Sequence, residues 1–77
     1  MALEADLPAA LRHFRENKAV TQEAVAHAAG LTVSTYARIE RGEADPRWTT
    51  VMRIADALGV TASELVSAAE EGPPNEP

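Results

Sequence analysis

Ser34, Arg38 and Arg41 follow one another at intervals of four and three residues. At about 100° per residue, a helix through this stretch places them on one side together with Val33 and Ala37. Thr35, Tyr36 and Ile39 fall on the other side. The free face is short-chained at its N-terminal end and bears guanidinium groups further along. A face of this kind suits the major groove of duplex DNA, which admits one helix when no bulky side chain blocks entry.

Other chemistries find no footing. The chain has no cysteine, which removes disulfides, cysteine-rich zinc sites and thiol chemistry together. His13 and His27 share no metal-ligand spacing with each other or with a carboxylate cluster, and read as surface or boundary histidines. No Ser-His-Asp set, phosphate-cradling glycine loop or shielded carboxylate pair can be assembled from local spacing. Seventy-seven residues leave little room for a catalytic pocket. The sequence therefore predicts a protein that is not an enzyme, with no metal, no cofactor and no evident small-molecule effector.

The elements that must position the free face read as five helical segments. The first begins at Asp6 as N-cap, with Pro8 in its opening turn, and runs to about Asn17. Leu7, Ala10, Leu11 and Phe14 give it one apolar side. The second starts at Thr21 and ends at Gly30, with Val25, Ala26 and Ala29 inward. Ala26 is small enough for a close helix crossing, and Gly30 followed by Leu31 offers a tight turn and a hydrophobic plug. The third runs from Thr32 to Gly42. Pro46 then disfavours helix at Asp45. A fourth segment covers about Arg47 to Leu58, with Val51, Ile54, Ala55 and Leu58 inward and Gly59 closing it. Thr61 to Glu64 has capping-box spacing and opens a fifth, which carries Leu65 and Val66 to about Ala69. Tyr36 and Trp48 are both expected in the core. Residues 1–69 thus form one domain, and the acidic, proline-rich residues 70–77 are expected to be a disordered tail.

The net charge of −5 argues at first against nucleic acid. Its distribution says more. All seven Lys and Arg residues lie between Arg12 and Arg53, a stretch that is +2, while the segments before and after it are −2 and −5. A mildly basic middle between acidic ends fits a molecule with one face toward phosphates. A chain this short buries only about 60% of its unfolded surface, so a partner subunit would help its stability. No run approaches the length of a membrane span, and the acidic N-terminus is unlike a signal peptide. A cytoplasmic location is expected.

The run Thr21-Gln22, Val25-Ala26, Gly30-Leu31, Ser34, Arg38-Ile39-Glu40-Arg41-Gly42 resembles the lambda-repressor-like helix-turn-helix regulators, the Xre or Cro/C1 type. Pro46, Thr50-Val51, Ile54-Ala55, Ala57-Leu58-Gly59-Val60 and Glu64-Leu65 continue the resemblance, which covers about residues 7–67. It implies an all-α, five-helix domain with the helix-turn-helix at the second and third helices. It further implies a transcriptional regulator whose recognition helix, about residues 32–41, enters the major groove. Val33, Ser34 and Arg38 stand where relatives contact bases. Arg38 would bond guanine bidentately, Ser34 would donate or accept, and Val33 would pack on a thymine methyl. Gln22, Thr32, Arg41 and Arg47 would approach phosphates. Arg15 and Glu40 match a structural ion bridge between the first and third helices. Val33 departs from the longer polar residue often found there, and Glu43 and Asp45 place acid in a linker that is often basic.

These readings converge on double-stranded DNA as partner, bound by a homodimer on a two-fold operator in the bacterial nucleoid. Val60, Leu65 and Val66 are the expected apolar edge for the dimer. Two alternatives stay open. One is a protein-interaction module of the same fold, favoured by the acidic total. The other is a DNA-binding antitoxin or restriction-modification controller. Acid from Glu43 and Asp45 masking Arg38 and Arg41 would favour the interaction module.

Overall fold

Four of the five helices begin where a short polar side chain takes over a backbone N–H that the helix itself leaves unpaired. The computed structural model describes residues 6–72. It contains α1 (Leu7–Lys18), α2 (Gln22–Ala29), α3 (Val33–Glu40), α4 (Trp48–Leu58) and α5 (Ala62–Glu71). Asp6, Thr21, Thr32 and Thr61 accept from the amides of Ala9, Ala24, Thr35 and Glu64. Each such cap contributes about 1 kcal/mol. Glu64 returns the contact to the Thr61 amide at 2.8 Å, completing the capping box. Arg47 caps α4 without a side-chain hydrogen bond.

The four connections between helices share one backbone solution. At the end of α2, the Leu31 amide reaches back to the Ala26 carbonyl and the Gly30 amide to His27. Gly30 takes φ +74°, the left-handed geometry this turn requires. The same pair of bonds closes α1 through Ala19 and Val20, α3 through Gly42 and Glu43, and α4 through Gly59 and Val60. Ala19, at φ +63°, is the only non-glycine among the described residues to hold this conformation. Val20, Leu31 and Val60 each turn inward and pack against the core.

That core is contiguous and drawn from all five helices: Ala10 and Leu11, Val25, Ala26 and Ala29, Tyr36 and Ile39, Val51, Ile54, Ala55 and Leu58, and Leu65, Ala68 and Ala69. α1 lies against α5 and α3, and α2 lies against α4 and α3. Leu7 and Phe14 pack on the core from its margin. The Asp6 amide donates to the Ala69 carbonyl at 2.7 Å, tying the start of α1 to α5.

Four expectations change. Trp48 is not in the core; it is 57% exposed. With Arg47 as cap, Trp48 is the first helical residue and sits about 70° off the centre of the Val51, Ile54, Ala55 and Leu58 stripe. Thr35 is exposed, because it lies about 90° from the centre of the buried Tyr36, Ile39 and Glu40 side, and its hydroxyl accepts from Thr32 at 3.0 Å. Leu65 is fully buried and Val60 packs on the core, so neither supplies the expected free apolar edge. α5 runs to Glu71, because Ala68 and Ala69 pack inward and carry the helix past the expected boundary. Residues 73–77 of the expected tail lie outside the described residues.

Candidate nucleic-acid interface

The position of α3 is set by one buried carboxylate. Glu40 is 2% exposed and accepts four hydrogen bonds. Arg15 of α1 donates Nε–H to Oε2 at 2.6 Å and Nη2–H to Oε1 at 3.2 Å. Gln22 of α2 donates to Oε1 at 2.9 Å, and the Tyr36 hydroxyl to Oε2 at 2.7 Å. Two donors per oxygen leave no acceptor site on the carboxylate unpaired. Burial alone would raise the Glu40 pKa, but the donors from Arg15, Tyr36 and Gln22 outweigh it and hold the carboxyl below its ordinary range. The Tyr36 hydroxyl is pushed the other way, by burial and by donating to that carboxylate. Arg12 adds Nη1–H to the Glu40 carbonyl at 3.0 Å, where the helix end concentrates negative charge. The Arg15–Glu40 bridge expected from the sequence is therefore the middle of a larger network that locks three helices together.

With Tyr36, Ile39 and Glu40 turned inward, the opposite side of α3 is fixed outward. Ser34, Arg38 and Arg41 fall within about 60° of one another on that side, and all three are exposed. Val33 is 41% exposed and occupies the first turn, toward the flank of this face. Ala37 is half-buried. Thr35, exposed beside Thr32, adds a hydroxyl to the outward surface. Among the described residues, Arg38 and Arg47 have no ion-pair partner, and Arg47 stands at the start of α4.

Two anchors expected at phosphates have partners within the chain. The Gln22 amide is committed to Glu40, leaving one N–H for a second acceptor. Arg41 pairs with Glu43, Nε to Oε2 at 2.9 Å and Nη2 to Oε1 at 3.1 Å, with both side chains more than half exposed. Hydrogen bonding to Glu43 raises the Arg41 pKa, and hydrogen bonding to Arg41 lowers that of Glu43. The acid in the linker thus pairs with Arg41, while Arg38 lies within the field of the same carboxylate but forms no ion pair with it. The spacing of Arg41 and Glu43, two residues apart, carried no helical signal for this pair. It arises from the turn through Gly42, which folds Glu43 back over the end of α3.

Two helices joined by a glycine turn, the second locked at its base and open on one face, define a helix-turn-helix unit. Residues 6–68 match the model of the helix-turn-helix domain family, and the chain belongs to that family. It is 42% identical over 55 residues to the uncharacterized HTH-type transcriptional regulator YazB of Bacillus subtilis, covering 71% of this chain and 80% of that protein. The crystal structure of the restriction-modification controller protein C.AhdI from Aeromonas hydrophila superposes with a TM-score of 0.74 at 30% identity, over 77% of this chain and 89% of that one. The clp gene regulator ClgR from Corynebacterium glutamicum gives 0.80 at 29% identity, over 90% of each chain.

Among the described residues, no group of histidines and carboxylates could hold a metal ion, and no helix is long and apolar enough to cross a membrane.

Proposed function

We propose that the chain is a sequence-specific regulator of transcription that reads double-stranded DNA by laying α3 in the major groove. The observation that carries this is the outward face of Ser34 and Arg38 on a helix held by the buried Glu40 network. Arg38 reads guanine through two parallel N–H donors, Ser34 takes a donor or an acceptor, and Val33 offers an apolar contact to a thymine methyl. Arg47, Arg41, Thr32 and the remaining amide N–H of Gln22 hold the backbone phosphates and set register. Membership of the helix-turn-helix family and the likeness to named transcriptional regulators support this reading. A cytoplasmic site of action at the nucleoid follows from it.

The active species in this reading is a homodimer on a two-fold operator, with half-sites about one helical turn, ~34 Å, apart. Trp48 borders an open groove of about 370 Å³ with Ala62, Ser63, Val66, Ser67 and Glu70. Met52, one turn on from Trp48, is 48% exposed. In this reading Trp48 and Met52 join Val66 as the dimer edge, in place of Val60 and Leu65.

Control of a restriction-modification system is a narrower version of the same activity, favoured by the likeness to C.AhdI. A pure interaction module is less well supported. Glu43 masks Arg41, yet Arg38 and Arg47 form no ion pair among the described residues.

Selection of bound duplexes from a random pool, followed by titration, tests the proposal. The selected sites are expected to be two-fold symmetric, with affinity falling steeply as salt rises. Arg38→Ala is expected to cost about 1–3 kcal/mol and to relax preference at one base pair per half-site. Absent or salt-insensitive binding to every selected duplex would overturn it.

A further inference from the structure

The turn that ends α1, α2, α3 and α4 delivers its last residue back onto the helix it closes. In three cases that residue is apolar and packs on the core: Val20, Leu31 and Val60. After α3 it is Glu43, whose amide donates to the Arg38 carbonyl at 2.8 Å. A position that elsewhere in this fold contributes packing here contributes a carboxylate, set against the end of the reading helix. Its two oxygens take Nε–H and one Nη2–H of Arg41. That edge of the guanidinium is one a phosphate takes in a bidentate contact.

We propose that Glu43 sets the affinity of the DNA interface by occupying Arg41 in the free protein and surrendering it to a phosphate when DNA binds. The inference rests on the reading of α3 as a DNA reader and adds to it an internal competitor. Carboxylate and phosphate compete for one fork, and the pair as it stands is neutral. The positive field at this end of α3 is therefore that of Arg38 without Arg41, and Glu43 weakens the field of Arg38 as well. Both partners are more than half exposed, so an incoming anion reaches the fork without unpacking the core. After the exchange, the Glu43 carboxylate lies beside the phosphate that displaced it and repels it. Glu43 thus weakens binding to every duplex alike and leaves discrimination to Ser34 and Arg38.

The test is a set of anisotropy titrations of the full chain, Glu43→Gln, Arg41→Gln and the double variant. A selected duplex and an unrelated duplex are each titrated over a salt series. Glutamine keeps the side-chain shape and the backbone turn, and circular dichroism checks that the helices persist. Glu43→Gln is expected to tighten binding to both duplexes by roughly 3- to 5-fold. It is also expected to steepen the slope of log K against log salt by about one phosphate contact, ~0.9. Arg41→Gln is expected to cost more in the Glu43→Gln background than in the parent. Unchanged or weaker binding by Glu43→Gln, or an equal cost of Arg41→Gln in both backgrounds, overturns the proposal and leaves the DNA reading standing. No binding by either the parent or Glu43→Gln at low salt overturns the DNA reading and this proposal with it.

Discussion

Glu40 sits where an unpaired charge would be most costly, and every oxygen lone pair it has is used. Breaking such a buried pair from one side costs about 3–5 kcal/mol, because the partner charge stays behind without compensation. Glu40→Ala strands Arg15, the Tyr36 hydroxyl and the Gln22 amide together. It is expected to lower the melting temperature by more than ~10 °C for a domain of this size, measured by circular dichroism. The pH dependence has a definite sign. The folded carboxyl is held below its ordinary value of 4.5, so its contribution is complete above that value and is lost as pH falls through the folded pKa. Acid scans are expected to show the parent losing stability in that window, and Glu40→Gln showing a flatter limb from a lower start. The Arg15–Glu40 bridge was legible from the resemblance of the sequence to relatives. Tyr36 and Gln22 as its partners were not, because local periodicity says which side of a helix is inward but not which residues meet there.

Caps and turns are the part of the fold that short-range chemistry specifies, and here the sequence was most informative. Asp6, Thr21, Thr32 and Thr61 each stand one residue before a helix, as their side-chain oxygens require. The exception is the end of α1, where Ala19 rather than glycine takes the left-handed conformation. Holding an L-residue there costs roughly 1–2 kcal/mol, which glycine relieves while adding some chain entropy to the unfolded state. Ala19→Gly is expected to stabilise the protein by about 0.5–1 kcal/mol, seen as a higher urea midpoint with an unchanged slope. Trp48 shows the limit of this kind of reading. Its apolar type argued for the core, but it opens α4, and only the placement of α5 decides what lies beside it.

At the scale of the whole molecule, the large exposed apolar side chains among the described residues are Val33 on α3 and, on one side of α4 away from its inward stripe, Trp48 and Met52. Trp48→Ser is expected to leave helix content and melting temperature near those of the parent. It is expected to shift self-association, followed by sedimentation, to higher protein concentration, and to weaken binding to a two-half-site duplex more than to a single half-site. Equal losses on both duplexes would place Trp48 at the DNA instead of between subunits. The charge pattern was legible as a basic middle between acidic ends, but its division of labour was not. Arg12 and Arg15 serve the interior, Arg41 is held by Glu43, and Arg38 and Arg47 form no ion pair among the described residues.

The hydrogen bond from Asp6 to Ala69 has a consequence of its own. The chain enters the bundle at α1 and leaves it along α5 at adjacent points, so both points face the same side of the molecule. A unit with this geometry can be grafted into a host protein's loop without prising the loop apart, since its two attachment points are already neighbours. By the same token, a short bridge from Gly72 to Asp6, with the chain reopened in the linker between α3 and α4, is expected to keep all five helices.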